Sequence, residues 1–163
     1  MGQYWTEVAV RGVVMDPMTG DPAILLEDDA ESAIVTIPVD PSGAEFIICE
    51  LEGIHRDAPL SLLYRFFVRH GIRVNRLEIG RIATGELSSA LCYRHDGRSF
   101  RMDVRPADGI SLAIQASAPM LASTELIHDY NRTVYSPRVL ENSDLLILSA
   151  HPQIQRDPDR AVR

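Results

Sequence analysis

The chain predicts an α+β fold built from a unit used twice, and three observations predict it. Short β-branched runs alternate with polar turns, apolar residues recur at helical spacing behind prolines, and the whole pattern returns at a fixed offset. Thr19-Gly20-Asp21 comes back as Thr84-Gly85-Glu86, 65 positions on. The same ungapped shift lays Val39-Asp40-Pro41 on Val104-Arg105-Pro106, Arg11 on Arg76 and Leu26 on Leu91. Each unit, about 7–71 and 73–131, reads as three strands followed by two helices.

In the first unit Glu7 to Met15 is valine-rich with part alternation, Ala23 to Glu27 is a short apolar run, and Ala33 to Val39 is β-branched. These are strands. Between them, Asp16-Pro17-Met18-Thr19-Gly20-Asp21-Pro22 is a loop by its prolines and glycine, and Asp28-Asp29-Ala30-Glu31 is a tight polar turn. After Pro41-Ser42, residues Ala44, Ile47, Ile48 and Leu51 fall at helical spacing, with Gly53 placed to stop the helix. A second helix runs from Pro59 to His70, and Gly71 ends it. Its adjacent Phe66 and Phe67 do not share one core stripe, so one of them is free to face a partner.

The second unit repeats the order with strands at Arg76 to Ala83, Glu86 to Tyr93 and Ser99 to Val104. Asp96-Gly97 in the Arg94-His95-Asp96-Gly97 turn is a hairpin signal. Pro106 stands where a helix takes its first residue, followed by Ile110, Leu112, Ala113 and Ala116, and a last short helix lies near Thr124 to Tyr130. Beyond it, Asn131 to Ser143 reads as irregular and Asp144 to Ser149 as an extra strand. The organisation is one domain over 1–150 with a flexible polar tail over 151–163.

At 163 residues and 45% apolar composition, the chain is long enough to bury its core without staples. The opening MGQYWTEVAV has neither a basic nor an apolar leader pattern, and no apolar run approaches a membrane span. The expectation is a cytoplasmic protein with no membrane. Cys49 and Cys92 are far apart and lack CxxC spacing, so buried free thiols are expected and not a disulfide or zinc site. The histidines show no HxH or HExxH spacing, and no G-x-S-x-G elbow, GxGxxG or P-loop is present.

The net charge of −7 opposes non-specific binding to nucleic acid, yet it is unevenly spread. From Gly12 to Tyr64 the balance is −10, and from Arg65 to Arg105 it is +5. Such a split either steers a polyanion to one face or pairs internally. Tyr93 and Phe100, set among Arg94, Arg98 and Arg101, are the candidates for a base-stacking platform, against which stands ordinary core or edge packing.

The chemistry concentrates in Asp103, Arg105 and Asp108, around Pro106. The proline pushes Arg105 into extended geometry, alternation sets Asp103 on the same strand face, and Asp108 falls in the first helical turn. One reading makes Asp103 and Asp108 ligands of a divalent cation, Mg2+ or Mn2+, while Arg105 grips a phosphate, so that all three are catalytic. The other reading is a salt-bridge cluster that ties strand to helix.

The run Asp103, Arg105, Pro106, Asp108, Ile110, Leu112, Ala113 has the spacing D-x-R-P-x-D-x-I-x-L-A and resembles the bifunctional nuclease family. Weaker similarity extends over Val8 to Ile127, through the strand ending in Val13 to Asp16, the Ile37 to Val39 strand and Ala118-Pro119. The resemblance implies a duplicated three-strand, two-helix unit forming a single barrel-like mixed sheet with helices packed on it. It also implies hydrolysis of RNA or DNA phosphodiester bonds and a homodimer. The chain departs from the family where a Thr-His-Asp run usually opens the second helix, having Pro59-Leu60-Ser61, and where Ala107 replaces the serine of R-P-S-D. Only His55 or His70 lies near enough to stand in for the missing histidine, and His55 reads as an exposed loop residue. The alternative is therefore a weak or inactive relative acting as a protein-interaction or regulatory module. A third reading is an anion binder at the Pro106 helix mouth. The first-unit counterparts of Arg105 and Asp108 are Asp40 and Gly43, so the charged constellation is not repeated.

Overall fold

Two prolines fix where strands give way to helices. The computed structural model describes residues 4–16, 19–28 and 34–133. Along these run β1 (Trp5–Met15), β2 (Pro22–Asp28), β3 (Ile34–Pro38), α1 (Pro41–Leu51), α2 (Pro59–Arg69), β4 (Arg73–Arg81), β5 (Leu87–His95), β6 (Arg98–Val104), α3 (Pro106–Ala116), β7 (Met120–Ser123) and α4 (Thr124–Thr133). Pro41 and Pro106 each take the first turn of an 11-residue helix, where the missing N–H costs nothing and φ is already set. The strand predicted at 144–149, the irregular stretch from 134 to 143, residues 29–31 of the acidic turn and the 151–163 tail lie outside the described residues.

The strands form one seven-stranded sheet in the order β3-β2-β1-β7-β4-β5-β6. All neighbours are antiparallel except β4 and β7, which makes the sheet mixed. Two three-stranded meanders thus stand side by side, each leading into a proline-started helix. Both carry a bulge in the first strand, at Val10/Gly12 and at Val74/Arg76. The β5–β6 turn has Asp96 at φ 47° and Gly97 at φ 76°. Positive φ at both central residues is what a tight hairpin matched to strand twist requires.

β7 is a strand that the sequence reading does not assign. It joins the halves, pairing Val8 with Met120 on one side and Leu77 with Met120 on the other.

α3 shows why the barrel expectation fails. Gly109 to Ala113 are five consecutive buried residues, so this helix is covered on every side and not along one stripe. It lies against β4 and β5 from one half and against β3 from the other, while α4 also touches β3, β4 and β7. The sheet curls around α3, but β3 and β6 do not pair and remain its two edges. The curl closes on helices, and the sheet is not a barrel.

The core is continuous across both halves. Ile24, Ile37, Ile47, Leu77, Ile110 and Leu126 are each less than 2% exposed. Each such side chain contributes about 1.5–3 kcal/mol through burial. Ser111, buried inside α3, donates its Oγ hydrogen to the Ala107 carbonyl at 2.9 Å, so no orphan polar group is left there. Cys49 and Cys92 are free thiols, Cys92 buried and Cys49 half-buried. Among the described residues no helix is long and apolar enough to cross a membrane.

Candidate functional site

β6 delivers Arg105 to the mouth of α3. Arg105 is the residue before Pro106 and adopts the extended geometry that position demands, with φ −65° and ψ 139°. Asp108 follows in the first turn, where the free N–H groups favour a carboxylate. The two side chains meet as a fork, Arg105 Nε to Asp108 Oδ2 at 2.6 Å and Nη2 to Oδ1 at 3.2 Å. The Arg105 side chain is nonetheless 80% exposed and that of Asp108 30%. The hydrogen bond Arg105 donates to Asp108, then the Asp108 charge, and further off the charge of Asp40, raise the Arg105 pKa.

Asp40 belongs to the other helix mouth. Its side chain accepts from the Gly43 N–H at 2.9 Å and caps α1, whereas no side chain caps α3. One mouth is closed by its own carboxylate and the neighbouring one is open and carries an arginine.

Asp103 takes another partner. Its Oδ1 accepts from Arg101 Nη1 at 3.2 Å, and its side chain is 90% exposed. Arg101 also reaches Glu78 Oε2 at 3.4 Å, and Arg76 Nη2 lies 2.7 Å from Glu78 Oε1. Burial pushes Glu78 up, but hydrogen bonds from Arg76 and the Cys92 thiol, the Arg76 charge and a hydrogen bond from Arg101 together hold its pKa below the ordinary value. Asp103 therefore closes a chain of alternating charges laid across β4 and β6, beside a shallow depression of about 330 Å³ that it lines with Ser88 and Ser89. Of the three predicted site residues, Arg105 and Asp108 share a contact, and Asp103 is engaged by Arg101. No group of three or more His, Cys, Asp or Glu side chains converges among the described residues.

The aromatic residues form a row. Phe67 of α2 stacks on Tyr93 at 6.5 Å between ring centroids, and Tyr93 stacks on Phe100 at 5.3 Å. Phe67 is buried at one end and Phe100 is 42% exposed at the β6 edge. The row runs from α2 to the sheet edge, with its last ring on the surface. Of the adjacent pair in α2, Phe67 takes the core and Phe66 stays 51% exposed, in contact with His70 at 4.2 Å.

The sequence reading missed a cleft of about 520 Å³ at the far end of α3. Glu50 comes from the last turn of α1, His55 and Arg56 from the α1–α2 connection, Tyr64 and Arg65 from α2, and Gln115 from the last turn of α3. Burial raises the Glu50 pKa, partly offset by attraction to His55, and burial likewise raises that of Tyr64. The Nε2 of Gln115 is buried with no hydrogen-bond partner. Arg56 pairs with Glu45, and Arg65 with Asp57 at 3.3 Å, all on exposed side chains. Ser61 Oγ donates to the Arg56 carbonyl at 2.9 Å, which ties the connection to the start of α2. No local motif announces residues spread from 50 to 115; the one signal was a histidine near the start of the second helix.

A search of curated proteins finds no match. The sequence model of the bifunctional nuclease domain matches residues 24–134, which include both helix mouths and every residue of the cleft.

Proposed function

Because the chain belongs to the bifunctional nuclease domain family, we propose that it hydrolyses RNA or DNA phosphodiester bonds at the mouth of α3. The observation that carries this reading is the uncapped helix start bearing an exposed arginine. Free N–H groups, the helix dipole and a guanidinium fork all favour a phosphate at that place. Arg105 moves its fork from Asp108 to the substrate phosphate, which frees both oxygens of the Asp108 carboxylate.

The same proposal includes a divalent cation, Mg2+ or Mn2+, whose binding requires Asp103 to leave Arg101, since no group of three or more His, Cys, Asp or Glu side chains converges among the described residues. Magnesium keeps most of its waters and binds through one or two carboxylates together with substrate phosphates. Asp103 and Asp108 would hold it. Bound there, it supplies charge neutralisation of the phosphate and a more acidic water as nucleophile. The protein's own part is to orient the phosphate through Arg105 and to hold the carboxylates at the end of β6 and the start of α3.

The test is cleavage of labelled single-stranded RNA and DNA, with and without Mg2+ or Mn2+, by the wild-type protein and by Arg105→Ala and Asp108→Ala. Losing one donor to the transition state costs about 100-fold in rate. Cleavage untouched by both substitutions would sink the site.

A second reading, a catalytically weak regulatory or interaction module, is favoured by one observation. Leu62 and Phe66, four apart on α2, are 63% and 51% exposed, and this helix begins Pro59-Leu60-Ser61 in place of the family's Thr-His-Asp. Absence of cleavage in every metal would favour it. The same exposed stripe and the open β6 edge support a homodimer, and a cytoplasmic location is part of the same proposal. An internal duplication also belongs to this proposal, supported by helices that start 65 residues apart, α1 and α3 at prolines 41 and 106, α2 and α4 at 59 and 124.

A further inference from the structure

We propose that the cleft between α1, α2 and α3 is a guanine subsite, in which Glu50 and Gln115 read the base and Arg56 and Arg65 take the attached phosphate. The inference rests on the nuclease reading for its choice of nucleotides as ligands. What it adds is a place and a base identity.

The cleft presents hydrogen-bonding groups whose capacity is not used by the protein. Gln115 Nε2 is a buried donor without a partner, and the Glu50 carboxylate sits partly desolvated with only the charge of His55 to offset its burial. Such groups are costly to leave unmade, so a cleft that gathers them is suited to a ligand that completes them. The ligand must offer adjacent donors to a carboxylate and an acceptor to an amide N–H. Guanine does so along one edge, with N1–H and the 2-amino group beside O6. Adenine and cytosine each offer one donor next to an acceptor, and uracil one donor between two acceptors.

Two arginines offer a place for an anionic tail, on a wall they share with the carboxylate of Asp57. Arg56 and Arg65 both line the cleft, each in an exposed ion pair, and Arg56 also hydrogen-bonds the Cys49 sulfur. Exposed pairs are weak, whereas a phosphate accepts a guanidinium fork with charge assistance, so either arginine can be drawn onto a nucleotide phosphate. The Tyr64 ring supplies an apolar wall against which a base can stack. At about 520 Å³ the cleft is within the size range of small-ligand sites.

The experiment is calorimetric titration of the full chain, in chelator and without divalent cation, with the 5′-monophosphates of guanosine, inosine, adenosine, cytidine and uridine. The guanosine nucleotide should bind most tightly. Inosine, which lacks the 2-amino group, should bind about tenfold to 100-fold more weakly, as expected for losing one hydrogen bond to a charged group. Glu50→Gln should abolish the preference for guanosine over adenosine, and Gln115→Leu should weaken it, each variant being checked for an unchanged melting transition. Guanosine monophosphate binding no better than adenosine monophosphate would overturn the proposal, as would a Glu50→Gln protein that keeps the preference. Guanine-selective binding without any cleavage would defeat the nuclease reading and leave this one standing. Cleavage indifferent to guanine, with no selective binding, would do the reverse.

Discussion

Gly109→Ala tests whether α3 is held at the centre of the molecule by close approach to the sheet. A Cβ at this position would lie 2.6 Å from Leu77 Cδ1 and 2.9 Å from Val104 Cγ2, both closer than carbon atoms tolerate. Leu77 is fully buried, and Val104 is β-branched with a stiff χ1, so neither yields cheaply. Overpacking costs about 1–3 kcal/mol, and this site belongs in the upper half of that range. Against it stands the gain of about 1 kcal/mol from replacing glycine by alanine inside a helix. The net expectation is a loss of about 1–2 kcal/mol. At roughly 2–4 °C per kcal/mol for a chain of this size, the midpoint should drop by about 2–8 °C in a thermal melt followed by circular dichroism. The position 65 residues earlier is Ala44, buried in α1, where the methyl is accommodated. The decisive measurement is a double-mutant cycle with Leu77→Ala, which removes the nearer obstacle. The cost of Gly109→Ala should shrink by at least about 0.5 kcal/mol in that background. A stabilised Gly109→Ala protein, or a cost unchanged by Leu77→Ala, would refute the packing argument.

Two other outcomes are expected. Glu78 has a folded-state pKa below its ordinary value, so its contribution is fully present above the unfolded carboxylate pKa of about 4.3 and is lost as pH falls through the folded value. Glu78→Gln should therefore lower stability at neutral pH and converge with the wild type under acid, as read from urea denaturation across pH; a constant difference down to the acid limb would contradict this. Gly97→Ala places a side chain at φ 76° in the β5–β6 hairpin and should destabilise by about 1 kcal/mol, with a neutral result in the same assay counting against the turn assignment.

Much of this fold is legible where the signal is local. Pro41, Pro59 and Pro106 mark helix starts to the residue, Asp96-Gly97 marks the hairpin, and the extended geometry of Arg105 follows from the proline after it. What escaped is what depends on distant partners. β7 is four residues long with no alternation to betray it, and its pairing comes from β1 and β4. The open sheet escaped for a related reason, since the pattern of strands does not say whether a helix or another strand fills the gap between β3 and β6. At the candidate site, Asp108 beside Arg105 is a neighbour relation that spacing supplies, whereas Asp103 turns to Arg101 because strand alternation puts residues two apart on one face. The approach of Asp40 to Arg105, and the placing of Glu50 and Gln115 on one cleft, arise only when α1 and α3 pack together.

β7 has a consequence for the order in which the molecule can be made. During synthesis the first three strands emerge and can pair among themselves, but the far side of Trp5 to Val8 waits for β7, with Val8 meeting Met120, 112 positions later. Loop closure over such a span is slow, and until it happens the start of β1 stands as an unguarded strand edge for any other chain. The interval between the ribosome's release of β1 and of β7 is therefore when this strand edge is most open to pairing with another chain.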